Sequence, residues 1–255
     1  MSWMYMSRVE WGADTTLPRL GWNVPFKMRK LAIMHHTVVI DDDATPNLWE
    51  TEGEVKAKMR QLQRIRPDLG LDVPYNFVGF LMAESFTKAR LIVAEGRGWA
   101  RSGAHTRSHD TEGNWLNDSG IALAIEGNTN LMRDFAPHIP PINAFWFWLK
   151  STLLPNLGEI HPQGRSIWGH RDFRPGTECP GTALWAAIGK LGFEEEQEDS
   201  MAVILVKQSD VSGVFLTDWI RKRPVDAQET VFLQFIGVRG PIEIDPAILQ
   251  AIPGP

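Results

Sequence analysis

Apolar positions along the chain follow two rhythms, short unbroken runs and a spacing of three to four. Leu31-Ala32-Ile33-Met34 is an unbroken run, the pattern of a strand buried on both faces, and it leads into His35-His36-Thr37. Residues 52–66 carry Val55, Met59, Leu62 and Ile65 at helical spacing, and Pro67 ends that helix. Residues 76–82 and 91–94 read as adjacent strands. Residues 120–126 form a further strand, with Ile121, Leu123 and Ile125 on one face and Ala122, Ala124 and Glu126 on the other. Residues 143–154 predict an aromatic-rich helix, and 166–168 a short strand feeding Gly169-His170. Residues 182–193 predict a closing helix with Leu184, Trp185, Ile188 and Leu191 on one face. Strands interleaved with helices imply an α/β domain, a central mixed β-sheet flanked by helices.

The pattern breaks at 194–199, Glu-Glu-Glu-Gln-Glu-Asp. We read 1–193 as the main domain, 194–199 as an acidic linker and 200–255 as a small α+β module. In the module, 202–207, 214–217 and 242–244 read as strands and 228–236 as a helix. Asp245-Pro246 starts a short last helix, with proline in its first turn. A piece this short lies near the lower limit for folding without staples, so it is expected to lean on the main domain or a partner.

Composition narrows the function without naming it. The chain has 255 residues, 43% hydrophobic and 22% charged, as in ordinary globular proteins. Its formal net charge is −5, so no global basic field attracts nucleic acid or anionic membrane, and Lys27-Met28-Arg29-Lys30 is too short to reverse that. No stretch approaches the roughly 18 consecutive apolar residues of a transmembrane helix. The first residues lack the basic start and apolar stretch of a secretory signal, so synthesis in the cytoplasm is expected. The 11 tryptophans are mostly expected in the core, with some free to form an aromatic platform for a sugar or peptide.

Cys179 is the single cysteine and cannot form an intramolecular disulfide, which leaves packing, nucleophilicity or metal binding. His170 lies upstream of it in the same segment, and His35 follows the first apolar run. Two imidazoles and a thiolate make a three-ligand zinc site with one position left for water, the arrangement of a hydrolase. The bland reading gives hydrogen-bonded strand-end histidines and a small buried thiol.

Ile33-Met34-His35-His36-Thr37, Gly103-Ala104-His105-Thr106 and Gly169-His170-Arg171-Asp172 through Thr177-Glu178-Cys179-Pro180-Gly181 occur in that order. Together they resemble the zinc-dependent N-acetylmuramoyl-L-alanine amidases, the family of phage amidase-type lysozymes and peptidoglycan recognition proteins. Ser7-Arg8-Val9-Glu10-Trp11-Gly12-Ala13 is similar to that family's opening segment, and Ile125-Glu126-Gly127-Asn128 to the end of its central strand. The resemblance spans about residues 7–190 and does not reach 200–255. One departure is a segment between His170 and Cys179 that is one residue longer than common in the family, placed at Arg174-Pro175-Gly176.

The resemblance implies one zinc ion per chain held by His35, His170 and Cys179, with His36 left to the cleft wall or to support the ligands. It implies hydrolysis of the amide between N-acetylmuramic acid and L-alanine, with a peptidoglycan muramyl-peptide as the partner. Tyr75 matches a catalytic tyrosine and Thr177 a residue that donates to the oxyanion. Glu126 matches a general base used by some relatives. Trp99, His105 and Asn117 are candidate substrate contacts, and Arg101 and Arg107 flank the His105 loop as partners for stem-peptide carboxylates. Asp172 is expected to bond a histidine or cap a turn.

A wall substrate without a signal segment fits a phage or prophage endolysin that leaves the cytoplasm through a holin-type lesion. A wall-recycling amidase is the alternative setting. The rival functions are a non-catalytic peptidoglycan-recognition protein, whose members lose the cysteine, a cysteine hydrolase with Cys179 as nucleophile, and a structural zinc closed by His36.

Overall fold

The structure, a computed structural model, describes residues 3–38, 48–83, 90–159 and 165–193, together with the four strands of the C-terminal part. The chain divides into two compact units, Met1–Glu196 and Gln197–Pro255.

The first unit is built on a six-stranded mixed sheet. Its strands are β1 (Trp3–Met6), β2 (Leu31–His36), β3 (Phe77–Leu81), β4 (Leu91–Glu95), β5 (Gly120–Ile125) and β6 (Ile167–Gly169). They lie in the order β1-β4-β3-β5-β2-β6. β3, β5, β2 and β6 are mutually parallel, and β4 runs antiparallel to β3. The helices are α1 (Glu52–Leu62), α2 (Leu116–Ser119), α3 (Ile139–Thr152), α4 (His170–Phe173) and α5 (Thr182–Ala187). The central strands β2 and β5 are buried along their full length, which is why both read as unbroken apolar runs.

Alternation along the strands divides the core in two. Phe77, Leu91, Val93, Leu123 and Ile125 pack with Ile142, Phe145, Trp146 and Leu149 of α3 and Leu184 of α5. On the other face Val78, Phe80, Ile92, Ala122 and Ala124 pack with Val55, Met59 and Leu62 of α1. A capping box starts α1: the Thr51 hydroxyl accepts the Glu54 N–H at 3.2 Å, and the Glu54 carboxylate accepts the Thr51 N–H at 3.0 Å.

Several expected boundaries move for physical reasons. α1 stops at Leu62 rather than 66. Gln63 is fully buried, its amide exchanging hydrogen bonds with the Asp14 backbone, and i→i+3 bonds tighten the chain after it. α3 starts at Ile139, before the expected 143, with prolines in its first turn where no backbone donor is needed. The closing helix is α only to Ala187 and 3₁₀ over Ile188–Lys190. β1, an edge strand of the main sheet, has no counterpart in the sequence reading.

In the second unit, β7 (Ile204–Gln208), β8 (Val214–Thr217), β9 (Lys222–Val225) and β10 (Ile242–Ile244) form a separate sheet in the order β10-β7-β8-β9. β9 contains Pro224, which hid it from the sequence reading. The acidic stretch 194–199 and the expected helices at 228–236 and after 245 lie outside the described residues. Among the described residues no helix is long and apolar enough to cross a membrane.

Candidate metal centre

Parallel strands bring their carboxyl ends to one edge of the sheet, where ligands of α/β proteins gather. β2 ends in His35 and His36, β5 is followed by Glu126, and β6 is followed by His170 as the first residue of α4. The chain then turns back. The Arg171 N–H donates to the Cys179 carbonyl at 3.1 Å, which returns Cys179 to the end of β2. The extra length at 174–176 closes as a turn, with the Thr177 N–H donating to the Arg174 carbonyl at 3.3 Å.

This folding gathers His35, His170 and Cys179, with their ligand atoms within 4.8 Å of one another. Cys179 Sγ lies 3.6 Å from His35 Nδ1. A tetrahedral zinc bonded to nitrogen at about 2.0–2.1 Å and sulfur at about 2.3 Å sets those two atoms about 3.6 Å apart. Nε2 of His170 is buried and has no hydrogen-bond partner among the described residues. The donor set, its spacing and that buried nitrogen fit a zinc ion.

Burial governs the protonation of the three. It holds the His35 imidazole well below its ordinary range, helped by the nearby His170, His105 and His36. It lowers His170 to about 4, with Arg174 adding to the effect. It also pushes the Cys179 thiol up to about 12, against a hydrogen bond at His36 and the charge of Arg171. The imidazoles are therefore neutral, as ligands must be, and the thiol keeps its proton until a cation displaces it. A cysteine hydrolase needs thiolate without metal, so this site disfavours Cys179 as a nucleophile.

His170 and Cys179 line a cleft of about 570 Å³ together with His36, Tyr75, His105, Arg107 and Thr177, while His35, in contact with Cys179, is not itself on the lining. Tyr75 is nearly buried, its ring 5.3 Å from that of His35 and its hydroxyl donating to the His36 carbonyl at 3.3 Å. The Thr177 hydroxyl accepts the Cys179 N–H at 3.3 Å. His36 points to the opposite sheet face from His35, its Nδ1 3.4 Å from the Thr129 hydroxyl, which in turn donates to the Pro180 carbonyl. Gly181 has φ +90°, and a side chain there would overlap Thr129, so this close return of the chain requires glycine. His36 is not part of the three-residue cluster.

Glu126 takes a different place. It shares its face with Ala122 and Ala124 under α1, 3.2 Å from Lys58 Nζ in a buried ion pair, and it accepts from the Thr37 hydroxyl at 3.4 Å. It does not line the cleft. Neither does Asn117, whose side-chain oxygen accepts the N–H groups of His105 (2.9 Å) and Thr106 (3.1 Å) and so shapes the loop from behind. Trp99 packs against the α3-side core, away from the cleft lining. Arg101 donates to the Arg19 and Gly21 carbonyls, while Arg107 lines the cleft. Asp172 caps α4 by accepting the Gly169 N–H at 2.9 Å.

Residues unmarked in the sequence also shape the site. Arg66, Leu69, Pro74 and Arg174 line the cleft. Arg29, fully buried, donates to the carbonyls of Trp99, Asn117, Asp118 and Gly120, and Arg97 to those of Val73 and Ser102. A buried arginine serving backbone carbonyls has no sequence signature. Only the loops it gathers make it necessary.

No family model matches the sequence. The peptidoglycan-recognition protein SC1a/b of Drosophila simulans is 30% identical over 186 residues, covering 72% of this chain and 83% of that protein. An N-acetylmuramoyl-L-alanine amidase of Mus musculus is 29% identical over 185 residues, 70% of this chain but only 29% of the mouse protein. Among solved structures, Drosophila PGRP-LB superposes with a TM-score of 0.53 at 22% identity, covering 78% of this chain and 99% of that one. A tyrosine-to-phenylalanine mutant of PGRP-LB, solved in complex with tracheal cytotoxin, matches at 0.50 and 22% identity, covering 72% and 92%. The structural matches share the mixed sheet with flanking helices, and on the sequence match the chain belongs to the family of peptidoglycan-recognition proteins and their amidase relatives.

Proposed function

We propose that the protein is a zinc-dependent N-acetylmuramoyl-L-alanine amidase that hydrolyses the amide between N-acetylmuramic acid and L-alanine in peptidoglycan. The observation that carries this reading is the His35, His170 and Cys179 cluster at the cleft. A recognition protein that only binds has no use for three convergent metal donors. The mouse amidase relative and the tracheal cytotoxin bound by the PGRP-LB mutant support the substrate class.

His35, His170 and Cys179 would hold one zinc ion, Cys179 giving up its thiol proton as it does so. Zinc supplies Lewis acidity toward the scissile carbonyl and makes water a nucleophile near neutral pH. The protein's own groups do the rest. Tyr75 lines the cleft with its ring beside that of His35, and its hydroxyl would turn from the His36 carbonyl to donate to negative charge developing on the carbonyl oxygen. Thr177 holds the Cys179 backbone and offers its hydroxyl to the same cleft. Arg107 and Arg174 on the lining attract the carboxylates of a stem peptide. Glu126, paired with Lys58 away from the lining, is left a structural task.

The test is turbidity loss of purified sacculi with native, chelator-stripped and zinc-restored protein, assaying new L-alanine amino termini and reducing ends together. Zinc-dependent amino termini without reducing ends support the amidase. Intact sacculi that still bind the protein would make it a recognition protein. The endolysin setting is a separate proposal, tested by whether expression lyses a host only when a holin is co-expressed.

A further inference from the structure

The two nitrogens of His35 face different partners. Nδ1 faces Cys179 Sγ at 3.6 Å, and Nε2 faces Nδ1 of His105 at 3.2 Å, with the rings nearly perpendicular at 73°. His105 therefore bonds the ring nitrogen of His35 that Cys179 does not face, and it is not a member of the metal cluster. A ring nitrogen that binds metal uses its lone pair, so the other nitrogen of a neutral imidazole must carry the proton. For a His35 that binds metal through Nδ1 that proton would sit on Nε2, and among the described residues the group it meets at bonding distance is the His105 Nδ1.

We propose that His105 is a positioning residue for the metal site: its Nδ1 accepts the Nε2–H of His35 and locks that ring in the tautomer whose Nδ1 faces the metal. The inference rests on the zinc reading above. Three features hold His105 for this task. Asn117 accepts the His105 and Thr106 N–H groups, so the loop cannot slide. The Asn117 carbonyl accepts the Gly103 N–H at 2.9 Å and an Arg29 N–H at 3.3 Å, which ties the loop to the buried arginine. Gly103 has no side chain because a Cβ there would overlap the His105 ring. Arg29, Asn117, His105 and His35 thus form one series of contacts from the protein interior to the metal donors. As a consequence His105 carries its own proton on Nε2, a buried atom without a hydrogen-bond partner among the described residues.

The test is titration of zinc alone into the chelator-stripped full chain by calorimetry, with cobalt(II) absorption as a second readout. His105→Phe keeps the ring volume and removes the acceptor. It is expected to weaken zinc about 10- to 100-fold, the usual cost of losing a partner behind a ligand, and to shift the cobalt bands. His105→Asn, which returns an oxygen to the place of Nδ1, is expected to recover most of the affinity and the native bands. Equal zinc affinity in the native chain and His105→Phe would overturn the proposal, as would equal losses in Phe and Asn. If His105→Phe does not fold, His105→Gln replaces it, since its acceptor lies one bond farther out. Native affinity in that variant also overturns the proposal. Failure of the native chain itself to take up zinc overturns the amidase reading instead, so the two are distinguishable.

Discussion

Two buried polar groups lie on the same face at the same end of the sheet, and they are built on opposite principles. Beneath α1, Glu126 and Lys58 meet at 3.2 Å, each charge answered by the other. At the cleft, His35, His170 and Cys179 are three neutral donors turned toward one another, with no cation of the protein's own among them. Both Glu126 and His35 follow small or apolar residues on their strands, so side-chain type and strand position alone do not separate them. The nearest opposite charge does. A cluster satisfied by its own ion pair holds the fold together, and one whose donors converge without an answer is made for something from outside.

The comparison breaks most sharply at Cys179. Cys179→Ser keeps the volume and removes the thiolate, and we expect hydrolysis of sacculi to fall by at least about 10³-fold, the several kcal/mol that a Lewis acid supplies. Zinc content measured alongside should fall to background while thermal unfolding in chelator stays native. A variant that still cleaves with zinc absent would sink the metal reading. Lys58→Met tests the other cluster. It takes the ammonium away from a buried carboxylate, and denaturant unfolding should lose about 3–5 kcal/mol, much of it regained in Lys58→Met with Glu126→Leu. The activity per folded molecule of the double variant should match native. If instead Glu126→Gln leaves stability intact and lowers kcat, then Glu126 takes part in proton transfer and the contrast between the clusters fails.

How much of this was legible follows from which interactions are local. Runs such as Leu31 to Met34 and the alternation of 120–126 are periodicities, and they mark the central strands. His170 and Cys179 in one loop, with His35 ending a strand, made a candidate set by residue type, the family resemblance chose His35 over His36, and the fold gathers those three. Glu126 was legible only as a carboxylate on a small-residue face. Its ion pair needs α1 laid across the sheet, and nothing near Glu126 announces Lys58. The same holds for Arg29 and Arg97, whose partners are backbone carbonyls from distant loops. Asn117 reads in the sequence as a substrate contact, while its bonds to the His105 and Thr106 N–H groups come from the folded loop and have no local signature. Edge elements were missed for another reason: β1 is half exposed along most of its length, and a short edge strand carries no strong pattern.

The smaller predictions concern the two hydroxyls of the cleft and separate catalysis from metal holding. Tyr75→Phe removes the phenol hydroxyl but keeps the ring beside His35, so zinc affinity should not change. Loss of one preorganised donor is expected to lower kcat about 10²-fold with little change in KM. Thr177→Val is the mildest. Its hydroxyl accepts the Cys179 N–H, a neutral hydrogen bond worth about 1 kcal/mol, so the expected loss is at most about tenfold. That loss should be shared between zinc affinity and kcat, because the residue holds the ligand's backbone and also faces the cleft. A Thr177→Val effect confined to kcat, with zinc affinity native, would assign the hydroxyl to the substrate alone. An effect confined to affinity would make Thr177 part of the metal scaffold and leave Tyr75 as the hydroxyl that meets the reacting carbonyl.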